Sequence, residues 1–128
     1  MRMVPKPSLL ERRTAHDGSI VEVKTPARIV TALTARQVRK LVSWGELLHK
    51  HGEEDAAWDW PALIAEHHGD AKRRFENFGL VCRREIQAAM IVGWGTARSR
   101  VTRRPLVYVE YVATAPWNRS SVTDPPRF

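Results

Sequence analysis

The stretch that decides the fold is "LVYVEYVATAPWNR", residues 106–119. Its first ten residues are mostly β-branched, aromatic or small, which is typical of a strand, and Pro116 marks the end of that strand. Because side chains alternate between the two faces of a strand, the pattern predicts one apolar face and one mixed face. The predicted apolar face consists of Val107, Val109, Tyr111, Ala113 and Ala115. The mixed face consists of Leu106, Tyr108, Glu110, Val112 and Thr114.

Glu110 is the most informative residue of this strand. A carboxylate flanked by Tyr108 and Val112 on one face is costly to bury unless it is paired or hydrogen-bonded. A buried carboxylate often has a raised pKa and then serves as a general base near neutral pH. The alternative is an exposed face on which Glu110 meets one of the many arginines.

Three further strands and two helices precede this segment, and the two strands nearest to it form a hairpin. The apolar runs "FGLVC" and "IQAAMIVGWG" flank the polar turn "RRE" and predict an antiparallel hairpin. Thr34 and Gln37 have the spacing of a capping box, so we predict a helix over residues 35–50 that stops at Gly52. Its expected apolar stripe consists of Val38, Leu41, Val42, Gly45 and Leu48.

A second, shorter helix is predicted to begin at Asp59 and Pro61 and to end at Gly69. Before the helices, "SIVEVK" alternates as a half-buried strand that Pro26 interrupts. We expect residues 1–17 to form a flexible arm and residues 18–128 to form the domain. This order of elements predicts an α+β fold with a mainly antiparallel sheet.

Composition limits the classes of function. The 128 residues carry 21 Lys and Arg against 14 Asp and Glu, a formal net charge of +7, which favours acidic partners such as nucleic acid or phosphorylated cofactors. One cysteine, Cys82, allows no intrachain disulfide, and no signal-peptide pattern is present, so we expect a cytoplasmic protein without a membrane segment. The histidines and Cys82 lack zinc-site spacing, so we expect no metal.

The segment from Phe75 to Phe128 resembles the central part of the GNAT superfamily of acetyl-CoA-dependent N-acetyltransferases. The residues that carry the resemblance are the hairpin "FGLVCRREIQAAMIVG" and the strand and turn "LVYVEYVATAPWNR". The earlier strand–helix–helix order is similar to the N-terminal half of the same fold. The resemblance implies an enzyme that moves an acetyl group from acetyl-CoA to an amine.

The resemblance also implies roles for individual residues. Glu110 lies where many members keep the general base. Val112, Ala113 and Thr114 lie where the strand backbone binds the acetyl and pantetheine part of the cofactor. Trp117 and Asn118 would line the mouth of the acceptor pocket.

The sequence departs from the family after Arg119. Members continue with a Gly-rich loop and a helix whose N–H groups hold the cofactor pyrophosphate, whereas here "SSVTDPPRF" follows. We therefore expect the N-terminal half of an acetyltransferase, either truncated or one piece of a split protein, with weak or no binding of acetyl-CoA. We also expect an unpaired edge along residues 106–115, an apolar patch, and self-association or a partner that supplies the other half. The alternative is a non-catalytic basic α+β module that binds nucleic acid or a protein partner.

Overall fold

A computed structural model describes residues 6–67 and 74–128. Within them lies one five-stranded sheet in the order β1-β2-β3-β4-β5, with every neighbouring pair antiparallel. Two α-helices lie between β2 and β3, so the predicted α+β class is confirmed. The elements are β1 (Ser8–Thr14), β2 (Ile20–Thr31), α1 (Ala35–Lys50), α2 (Trp60–Glu66), β3 (Arg74–Cys82), β4 (Glu85–Arg98) and β5 (Pro105–Thr114), with short 3-10 turns at Glu54–Ala57 and Pro116–Asn118.

The expectation of a flexible arm over residues 1–17 is wrong for Ser8–Thr14, which form β1. This strand pairs with β2 from Ser8 opposite Pro26 to Thr14 opposite Ile20. Its Glu11 is buried and accepts hydrogen bonds from Arg13 at 2.6 Å and Arg83 at 2.8 Å. The charge of Glu11 is therefore paired in the folded chain, both within β1 and with the turn between β3 and β4. Residues 1–5 lie outside the described residues.

The expected interruption of the strand at Pro26 is also wrong, because β2 runs through it. Pro26 is the last residue that pairs with β1, and Ala27 is the first that pairs with β3. A proline is tolerated where a strand changes partners, since no ladder bond there needs its missing N–H. The carbonyl of Pro26 accepts a hydrogen bond from the Cys82 thiol at 3.4 Å.

Helix α1 has the predicted bounds and cap. The Thr34 hydroxyl accepts a hydrogen bond from the Gln37 N–H at 3.2 Å, and the Gln37 side chain accepts one from the Thr34 N–H at 2.9 Å. Gly52 follows the helix with φ +68°, as expected of its stop. The predicted stripe needs one correction: Trp44 is buried with Leu41 and Leu48, whereas Val42 is 55% exposed.

Helix α2 begins as predicted. The Asp59 carboxylate accepts a hydrogen bond from the Ala62 N–H at 3.1 Å, and Pro61 occupies the first turn. The helix ends at Glu66, and the predicted stop, Gly69, lies outside the described residues.

The predicted continuous apolar face of β5 is broken by a β-bulge. Tyr111 lies opposite Ile91, but the next β4 residue, Val92, lies opposite Val109, so Glu110 is an extra residue. An extra residue reverses the alternation of faces. Ala113 and Ala115 therefore lie in the helix-side core with Tyr111 packed against it, while the other two residues of the predicted apolar face, Val107 and Val109, line the opposite side of the sheet together with Val112.

The unpaired edge is confirmed for the part of the chain that the structure describes. Strand β5 is the last strand of the sheet and pairs with β4 alone. Val107, Tyr108, Val109 and Val112 along it are each at least 47% exposed. The structure therefore leaves an apolar strand open along one side, while self-association stays a prediction.

Candidate cofactor-binding edge

The backbone of β5 turns two residues toward the open edge. The Ala115 N–H donates to the Gln87 carbonyl at 2.8 Å, and the same register places Ala113 opposite Ala89. In an antiparallel pair the hydrogen-bonded residues alternate with residues whose N–H and C=O point away from the partner strand. The backbone groups of Val112 and Thr114 therefore point away from β4.

The carbonyl of Thr114 is already occupied. Arg119 donates to it from Nη2 at 2.8 Å and from Nε at 3.1 Å. The same guanidinium makes a bidentate pair with Asp55, with both distances 2.7 Å. Arg119 thus links the end of β5 to the 3-10 turn before α2. The N–H and C=O of Val112 remain as the outward-pointing backbone groups nearest the bulge.

Glu110 lies at the bulge, two residues from Val112, and is half-buried. Its carboxylate makes no ion pair with any described residue, although the chain has many arginines. The alternative in which an arginine neutralises Glu110 is thus not found among residues 6–67 and 74–128. Bulges commonly redirect a side chain beside an active site.

The other predicted cofactor residues have different surroundings. Val112 is 55% exposed on the face of the sheet that the helices leave uncovered. Ala113 is buried at 5% exposure in the helix-side core. Thr114 is exposed at the end of the strand. Of the three, Val112 and Thr114 present backbone groups to the edge and Ala113 does not.

Trp117 and Asn118, predicted at the acceptor pocket, are held by a buried glutamine. The Gln87 amide oxygen accepts from Trp117 Nε1 at 2.7 Å and from Asn118 Nδ2 at 3.0 Å. The Trp117 ring also packs edge-on against Trp44, with centroids 6.1 Å apart. These contacts give both residues a structural role, and their role toward a substrate stays a prediction.

Sequence reasoning did not predict a cluster of aromatic side chains on the helix side of the bulge. Tyr111, the residue after Glu110, packs edge-to-face against Trp58 with centroids 5.0 Å apart and against His67 at 5.4 Å. His67 Nδ1 lies 2.7 Å from the Leu63 carbonyl, which favours the tautomer with its proton on Nδ1. In the sequence, the only signal for Trp58 was its position directly before Asp59 and Pro61, which mark a helix start.

No protein-family model matches the chain, and neither the curated proteins nor the solved structures that were compared gave a match. No helix among the described residues has the length and apolar character needed to span a membrane. The class that the fold itself defines is an α+β domain with a bulged, open edge strand.

The pair of Asp55 and Arg119 should make stability depend on pH. The guanidinium lowers the pKa of Asp55 from its ordinary 3.8, chiefly through the hydrogen bonds it donates. A lowered folded-state pKa means that the contribution is complete above the ordinary value and is lost as pH falls through the lowered one. We expect Asp55→Asn to cost about 1–2 kcal/mol at pH 7 and much less at pH 2.

Urea unfolding at the two pH values measures this effect. Glu54→Gln is the matched control, because Glu54 is exposed on the same turn and forms no ion pair with a described residue. A loss for Asp55→Asn that is equal at both pH values would contradict the prediction.

Proposed function

We propose that this chain is an acetyltransferase-like protein whose β5 edge binds the pantetheine arm of acetyl-CoA. The observation that carries the proposal is the open edge itself. There the N–H and C=O of Val112 point outward, with no partner among the described residues, two residues from a bulged carboxylate. The amides of pantetheine pair with an exposed strand edge as an added peptide strand does. The resemblance of residues 75–128 to the GNAT superfamily supports the same ligand.

In this proposal Glu110 acts as the general base for the acceptor amine. An amine attacks the thioester carbonyl only after it has lost a proton, which the Glu110 carboxylate takes directly or through water. The new C–N bond forms, the C–S bond breaks, and the thiolate of CoA leaves and is reprotonated. A backbone N–H at the edge stabilises the oxyanion that develops on the carbonyl oxygen.

We expect acetyl-CoA to bind weakly, in about the millimolar range, because the 128 residues contain no Gly-rich loop to hold the pyrophosphate. Val112→Pro should weaken binding further, by about tenfold, because proline lacks the outward N–H. The ladder with β4 does not need this N–H, so the strand should remain folded.

Equilibrium dialysis with labelled acetyl-CoA measures the difference. Val112→Thr is the matched control, because threonine is β-branched, is similar in size to valine and keeps the N–H. Equal affinity of the Pro and Thr variants would show that the edge N–H is not part of the site.

A further inference from the structure

The sheet has an apolar face that nothing in the described residues covers. Helix α1 and the segment around α2 pack on one side, against Ile91, Ala113 and Ala115. On the other side, side chains from four strands form a shallow trough of about 460 Å³, which we call the open face. Its lining includes Ile29, Ala88, Val92, Trp94, Val107 and Val109.

The open face does not have the residue composition of a solvent-exposed sheet face. An antiparallel sheet with one solvated face alternates apolar residues with polar ones. Here both faces are apolar: Ile29 is 61% exposed, Val107 is 59% exposed, and even Trp94 is 39% exposed. An apolar surface of this kind marks an interaction site.

One end of the open face carries uncompensated positive charge. Beyond Trp94 and Val107 the β4–β5 hairpin contains four arginines and no acidic residue, and none of the four forms an ion pair with a described carboxylate. We call this set the arginine hairpin: Arg98, Arg100, Arg103 and Arg104.

The arginine hairpin is held in shape by its own hydrogen bonds. The Ser99 N–H donates to the Arg104 carbonyl and the Arg103 N–H donates to the Ser99 carbonyl, both at 2.9 Å. Arg103 has φ +61°, a left-handed conformation that is unfavourable for a residue other than glycine. A turn with four arginines and no acidic residue, beside an apolar trough, is an arrangement suited to an amphipathic partner with an acidic end.

We propose that the open face binds an amphipathic helix of a partner protein, with acidic residues at the end that meets the arginine hairpin. The part of β4 that lies along the open face, from Ala88 to Trp94, is roughly 20 Å long. This length matches a helix of about 13 residues. A second copy of this chain fits less well, because the net charge of +7 and the arginine hairpin would repel their own counterparts. The inference does not depend on acetyl transfer.

A pair of synthetic peptides tests the proposal with the whole chain. Each peptide is an amphipathic helix of about 18 residues with a leucine face; one carries a glutamate cluster in its first turn and the other carries lysines there. Fluorescence anisotropy at low salt should show at least about tenfold tighter binding of the acidic peptide. A photo-crosslinker at its acidic end should label residues of the arginine hairpin.

Variants of the protein separate the two parts of the surface. Arg100→Ser with Arg103→Ser should abolish the preference for the acidic peptide, while Arg36→Ser with Arg39→Ser, exposed on α1, should leave it unchanged. Val109→Lys on the open face should abolish binding of both peptides, and Val42→Lys on α1 should not. Circular dichroism of each variant confirms that it is folded.

Three outcomes would overturn the proposal. The first is equal binding of both peptides, or binding of neither. The second is binding of a single-stranded oligonucleotide or of anionic phospholipid vesicles that depends on the arginine hairpin while the acidic peptide does not bind. The third is a dimer, detected by analytical ultracentrifugation, that Val109→Lys dissolves and the acidic peptide does not.

Discussion

Replacing Gln87 by Leu should lower the free energy of unfolding by about 3 kcal/mol. Gln87 is 1% exposed, and its amide oxygen accepts from Trp117 and Asn118. Its amide nitrogen donates to the Cys82 carbonyl at 3.1 Å. Leucine is similar in size, so the loss would come from buried groups left without partners rather than from a cavity.

Chemical denaturation measures the loss, and Trp117→Phe provides the comparison. That change removes one donor from the same oxygen and should cost about 1 kcal/mol, because Asn118 still satisfies Gln87. If Gln87→Leu is as stable as the unaltered chain, the turn after β5 is held by packing alone.

Glu110→Gln should lower turnover by about two orders of magnitude in a form of the protein that transfers acetyl groups. The proposed resemblance to the GNAT superfamily implies that such a form also carries the Gly-rich loop and helix of that superfamily. Glutamine keeps the shape of the side chain and cannot take a proton, so turnover should fall while the affinity for acetyl-CoA stays the same.

Glu66→Gln is a suitable control for this experiment, because Glu66 is exposed at the end of α2. Steady-state rates with saturating acetyl-CoA give turnover, and equilibrium dialysis gives affinity. Unchanged turnover in Glu110→Gln would assign the base to another group or to water alone.

Local sequence signals predicted the helix starts because those signals act over a few residues. The capping box at Thr34 and Gln37 and the cap at Asp59 are complete within one helical turn. The hairpin of β3 and β4 was also predictable, since two apolar runs flank a short polar turn. Its two turn residues, Arg83 and Arg84, both adopt positive φ, as a two-residue hairpin with a type I′ turn requires.

The features that matter most at the candidate site depend on tertiary pairing and were not predictable. The bulge at Glu110 exists only in the register of β5 against β4, so alternation along β5 alone assigned its faces wrongly. The burial of Gln87 likewise depends on Trp117, a residue 30 positions away. Strand β1 was missed because its buried Glu11 is paired with Arg83 of a turn distant in sequence.

Amide-resolved NMR during a titration with acetyl-CoA tests the central claim most directly, namely that the β5 edge is a cofactor-binding strand. The proposal predicts saturable shifts of the Val112 and Thr114 amides, with a much smaller shift of Ala113, whose N–H faces β4. Signals of the arginine hairpin should change little. The claim would be contradicted if no amide of β5 shifts in a saturable way, or if the shifts are confined to Arg98–Arg104, since the phosphates would then be binding to surface arginines alone.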